Sequence, residues 1–145
     1  AGVYFPDAHL YAIAKALDVE VTYFFPRMPP AAKVVRANER ETFRFEGSFI
    51  AYSLLSSGFP GRELESLLVH VDPGDGALPA DGFRSHPGEE FAYVLEGRLR
   101  FWIGDGVYDL DPGDSIHYHR RQPRSWRNDG TEACVVIWTV SFSSV

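Results

Sequence analysis

The chain has 145 residues, of which 45% are hydrophobic and 14% aromatic, a composition that excludes a disordered protein and suits one domain with a small appendage. No run approaches the ~20 apolar residues of a membrane span, and no basic-then-apolar leader opens the sequence. The net charge of −6 argues against unaided, non-specific nucleic-acid binding, and the single cysteine, Cys134, excludes an internal disulfide and fits a reducing cytoplasm.

Charge divides the chain unevenly, at net +1 over residues 1–40 and −7 over 41–145, which predicts two units of different origin. In residues 1–25, Leu10, Ile13, Ala14 and Leu17 follow the i, i+3, i+4, i+7 spacing of an amphipathic helix, with Asp7 as its N-cap. The segment VTYFF after Val19 adds a short aromatic turn of helix. Residues 26–40 form a linker, because Pro26, Pro29 and Pro30 block continuation of the helix.

From Glu41 the period changes from helix to strand. TFRF and SFIAYSLL are strand candidates, SSGFPGRE is a loop, LESLLVHVD is a strand, and DPGDGALPADG is a turn-rich loop. EFAYVLEG and RLRFWIGD read as a hairpin turning at Glu96–Gly97. Further turns fall near Gly106 and at Pro112–Gly113. ACVVIWTVSF is long, β-branched and apolar, so it is predicted to be a central buried strand holding Cys134 as a small core residue. The aromatics Phe91, Tyr93, Phe101, Trp102 and Trp138 are expected mostly to fill the core. A run of short antiparallel strands must close or protect its edges, and a small barrel or sandwich does that.

Residues 81–128 carry a sharper pattern. His86, Glu90 and Gly97 keep the spacing His, three residues, Glu, six residues, Gly. Gly113, His119, Arg121, Arg124 and Asn128 fall on the spacing Gly, five residues, Pro-x-Gly, two residues, His, three residues, Asn. Through these residues the stretch resembles the cupin family, whose fold is a mainly β double-stranded β-helix, or jelly-roll barrel; the likeness covers about residues 40–143. Residues 1–25, through Leu10, Ile13, Ala14, Leu17 and Val19, are similar to the closing helices of lambda-repressor-like (XRE) helix-turn-helix domains. The implied organisation is a C-terminal end of a DNA-binding domain over 1–25, a linker over 26–40 and a cupin domain over 41–145.

The cupin resemblance implies a metal site made of three histidines and a glutamate. Here His86 and Glu90 stand at two of the four positions, while Arg84 and Arg124 stand at the other two. Leu78 takes the place of the first motif's opening glycine. A guanidinium is always protonated and has no lone pair for a metal. No metal and no cofactor is therefore expected; any metal would rest on His86 and Glu90. His117 and His119, two apart and so on one side of a strand, are the replacements weighed for the missing ligands.

Elbow, P-loop and dinucleotide motifs of other enzyme classes are absent from the sequence. The two resemblances together imply a small-molecule sensor within a DNA-binding transcriptional regulator. Arg84, His86, Glu90, Arg124 and Trp126 are expected to face one cavity and bind an anionic effector. DNA would be reached only through helices preceding Ala1, with no membrane partner, and the regulator would be a homodimer. The alternative is a metal-dependent cupin enzyme, such as an oxygenase, epoxidase or isomerase.

Overall fold

The computed structural model of the protein describes residues 32–56, 58–77 and 86–142. The chain divides into two compact units, residues 1–32 and 33–145. The helix expected over 1–25, and Leu78 and Arg84 in the first motif, lie outside the described residues.

After a single 3-10 turn at Ala37–Glu39, ten antiparallel strands follow among the described residues. They are β1 (Thr42–Phe43), β2 (Ala51–Leu54), β3 (Leu64–Val71), β4 (Gly76–Ala77), β5 (Glu89–Glu96), β6 (Leu99–Ile103), β7 (Gly106–Leu110), β8 (Ser115–His119), β9 (Arg124–Arg127) and β10 (Cys134–Ser141). Six make one sheet in the order β1-β2-β3-β10-β5-β8, and four make a second in the order β4-β9-β6-β7. From β4 onward the chain passes from sheet to sheet at every connection except the β6–β7 hairpin, giving a jelly-roll barrel. No helix among the described residues is long and apolar enough to cross a membrane.

Strand β10 sits between β3 and β5, as its apolar, β-branched sequence predicts. Period-2 alternation sends Cys134, Val136 and Trp138 inward, where they are buried. They meet Val69 and Val71 of β3, Ala92 and Val94 of β5, and Leu99 and Phe101 of β6 in one core. Each large side chain fully buried there is worth about 1.5–3 kcal/mol.

The hairpin expected at Glu96–Gly97 is not formed: β5 belongs to the six-stranded sheet and β6 to the four-stranded one. The reason is that both edges of β5 are already taken, by β10 and β8, so β6 cannot pair with it. Glu96–Gly97 is instead the corner between sheets. The true hairpin joins β6 and β7, with Ile103 opposite Gly106. The aromatic assignment also needs correction. Phe101 and Trp138 fill the core, but Phe91 and Tyr93 are exposed on the outer face of β5, and Trp102 is half-buried. Strand alternation decides this, since Ala92 and Val94 take the inner face.

Asn128, the last residue of the second motif, is fully buried and fully used. Its side-chain amide donates to the carbonyls of Val71 (3.0 Å) and Glu132 (2.9 Å), and its Oδ1 accepts from the Gly130 amide at 2.9 Å. It ties β3 to the turn after β9, so its role is to hold the barrel end together.

Candidate functional site

The inner face of β5 carries Glu90 in line with Ala92 and Val94. The inner face of β9 carries Arg124 and Trp126, which register against Ile103 and Phe101 of β6. Tyr118 of β8 lies opposite Glu90, and Trp138 of β10 lies opposite Ala92. Five side chains from four strands thus converge: Glu90, Tyr118, Arg124, Trp126 and Trp138.

At the centre is an ion pair between the sheets. Arg124 Nε stands 2.9 Å from Glu90 Oε2; the two side chains are 20% and 13% exposed, while Oε2 itself is buried. The contact is electrostatic rather than an aligned hydrogen bond, because Glu90 Oε2 has no partner of hydrogen-bonding geometry. Arg124 Nη1 donates to the Arg120 carbonyl at 3.0 Å and, more weakly, to the Gln122 carbonyl at 3.5 Å. Among the described residues, these contacts use Nε and Nη1 and not Nη2.

Tyr118 is buried beside this pair. Burial first, then the charge of and hydrogen bonding to Glu90, hold its phenol far above the ordinary tyrosine range; the Trp138 indole and the Arg124 charge oppose this in part. The Trp138 Nε1 is nonetheless buried without an aligned acceptor, as is Arg120 Nε in the turn after β8. Trp126 and Trp138 pack with ring centroids 5.1 Å apart and planes inclined by 53°, and Phe101 adjoins Trp138 at 5.4 Å. Trp126, Trp138 and Phe101 thus form one run of adjoining rings.

Of the residues singled out from the sequence, Glu90, Arg124 and Trp126 come together. His86 is exposed, and its backbone amide donates at 3.3 Å to the Arg120 carbonyl, which also accepts from Arg124 Nη1. Arg84 is outside the described residues. His117 and His119 do share one side of β8, but it is the outer one; His117 Nε2 lies 3.2 Å from Glu89 Oε1. Tyr118, between them, takes the inner face. Sequence reasoning missed Tyr118 and Arg120. The alternation in SIHYH could have found the first, since two outward histidines force the residue between them inward.

A cupin metal does not fit these donors. Glu90 is engaged by a guanidinium, the histidines near it point outward or are exposed, and no group of three or more His, Cys, Asp or Glu side chains among the described residues could hold a metal.

The family profile for the cupin domain matches residues 67–140. Among curated proteins, the HTH-type transcriptional regulator PuuR of Escherichia coli (strain K12) is 28% identical over 131 residues, covering 88% of this chain and 68% of that protein. Among solved structures, hydroxypropylphosphonic acid epoxidase from S. wedmorenis is similar with a TM-score of 0.64 and 25% identity, over 93% of this chain and 74% of that one. The cupin domain of an XRE family transcriptional regulator from Enterobacter cloacae is similar with a TM-score of 0.55 and 15% identity, over 64% of this chain and 96% of that one. With the profile matched across both motifs and with the strands forming a two-sheet jelly roll, the chain belongs to the cupin family.

Proposed function

We propose that this barrel is the small-molecule-sensing domain of a DNA-binding transcriptional regulator, and that it binds an anionic metabolite without a metal. The observation that carries the reading is the Arg124–Glu90 pair: an arginine stands where a cupin places a ligating histidine, and it closes onto the remaining carboxylate. The likeness to PuuR and to the cupin domain of an XRE regulator supports the regulatory role. The full-length protein would reach DNA through helices before Ala1 and act as a homodimer in the cytoplasm, since repressor-type domains read paired half-sites. Arg124 Nη2, which makes none of these contacts among the described residues, is the group offered to the anion, through a charge-assisted hydrogen bond.

The test is a thermal-shift screen of small carboxylates and phosphonates on wild type and Arg124→Ala. A true effector at a hundred times its dissociation constant stabilises wild type by about 2.7 kcal/mol, and the variant shows no shift. An effector that stabilises both equally contradicts the proposal.

A second reading is a metal-dependent enzyme. It is favoured by the likeness to hydroxypropylphosphonic acid epoxidase across nearly the whole chain. The donor set stands against it, and metal content separates the two.

A further inference from the structure

The barrel's unsatisfied polar atoms are of two opposite kinds. Glu90 Oε2 is a buried acceptor without an aligned donor, whereas Trp138 Nε1 is a buried donor without an aligned acceptor. Arg120 Nε, a second such donor, belongs to the turn whose carbonyl holds Arg124. Tyr118 neighbours both Glu90 and Trp138, and Arg124 stands 2.9 Å from Glu90 Oε2, so what the cluster lacks is alignment rather than neighbours; a partner that supplies both a donor and an acceptor would complete it.

An acid group alone is a poor partner. Arg124 and Glu90 are 2.9 Å apart, so a carboxylate that reaches the guanidinium is also brought up against the Glu90 carboxylate. The like charges repel, and the Glu90 oxygen remains without a donor. A ligand that bears a donor on the carbon next to its acid group removes both costs. Its carboxylate meets Arg124, and the neighbouring O–H or N–H meets Glu90. Its carbon chain then lies along Trp126 and Trp138, whose rings form the apolar side of the cluster.

We infer, building on the anion-sensing reading above, that the barrel ligand is a 2-hydroxy or 2-amino carboxylic acid, recognised by Arg124 through its carboxylate and by Glu90 through its 2-substituent. Glu90 thereby becomes the residue that sets specificity, and Arg124 the one that sets affinity.

The test uses matched sets of acids that differ only at carbon 2, titrated calorimetrically into the 145-residue protein. The sets are propionate with lactate and alanine, 4-methylpentanoate with its 2-hydroxy form and leucine, succinate with malate and aspartate, and 3-phenylpropanoate with phenyllactate and phenylalanine. In the set that binds, the 2-hydroxy or 2-amino member should be at least about tenfold tighter than its unsubstituted parent, as expected for one hydrogen bond to a charged group. Which of the two is tighter identifies the donor. In Glu90→Gln the margin should shrink, most of all for the ammonium-bearing member. The wild-type comparison alone decides the matter should that variant fold poorly. A parent acid that binds as tightly as its substituted forms overturns this inference and leaves the sensing role intact. So does an Arg124-dependent ligand that lacks the donor. If no acid at all binds in an Arg124-dependent way, both fail.

Discussion

Arg124 joins the two sheets at a single point, and its neighbours show how costly its loss would be. Removing it leaves Glu90, 13% exposed, with Tyr118 as its remaining hydrogen-bonding neighbour. Because the pair is not fully desolvated and Tyr118 stays in place, Arg124→Ala should cost about 1–3 kcal/mol rather than unfold the barrel, seen as a lower midpoint in urea with an unchanged slope. A flattened slope or loss of cooperativity would show that the pair holds the fold and not merely the site. Tyr118 gives a pH signature. Its folded pKa lies above the ordinary value of about 10, so its contribution is complete below that pH. It is lost as pH rises toward the folded value, because only the unfolded chain releases the proton. Tyr52, raised by burial and by Asp75, acts in the same sense. Thermal melts should therefore fall more steeply above about pH 10 in wild type than in Tyr118→Phe; parallel curves would contradict this. Glu90, Arg124 and Trp126 were legible as a group because the motif spacing fixes their faces. Tyr118 was not, because attention fell on the two flanking histidines, which are exposed as surface residues of β8, and not on the residue between them.

At the scale of elements, the period-2 pattern located most strands, and the apolar run of β10 identified the centre of the sheet. What it could not give was pairing. Glu96–Gly97 has the composition of a tight turn, yet whether a turn joins neighbours or changes sheets depends on which edges distant strands have taken. Gly97 shows how tight that corner is. Its φ is +76°, and a Cβ there would lie 2.5 Å from the Ala133 carbonyl oxygen and 2.7 Å from Cys134 Cα. Gly97→Ala combines left-handed backbone with a collision against backbone that cannot move aside. It should destabilise by at least about 2 kcal/mol, measured by denaturant unfolding; a change within about 0.5 kcal/mol, the range of ordinary surface substitutions, would mean the corner opens easily. The outer faces of the two sheets also differ in a way no local pattern announced. That of the four-stranded sheet carries a ladder from Arg98 and Arg100 through Asp109 to Asp129 and Arg127, whereas β5 exposes Phe91, Tyr93 and Leu95.

At the scale of the whole molecule, charge and composition mark a boundary between an N-terminal unit and the barrel. The regulatory reading has two consequences for the 145-residue protein. It should sediment as a dimer at micromolar concentration, and a purely monomeric profile would count against that. It should also show no sequence-selective, salt-resistant DNA binding in a gel-shift titration, in keeping with its net charge of −6; selective retardation would overturn this.

The central claim is that a guanidinium has replaced the metal in this cupin barrel. The most direct test is elemental analysis after dialysis against iron(II), manganese, nickel and zinc in turn. The account predicts less than about a tenth of an equivalent of any of them, since two protein donors beside a fixed positive charge do not make a site. About one equivalent of a single transition metal, retained through gel filtration, would contradict it and restore the metal-dependent enzyme.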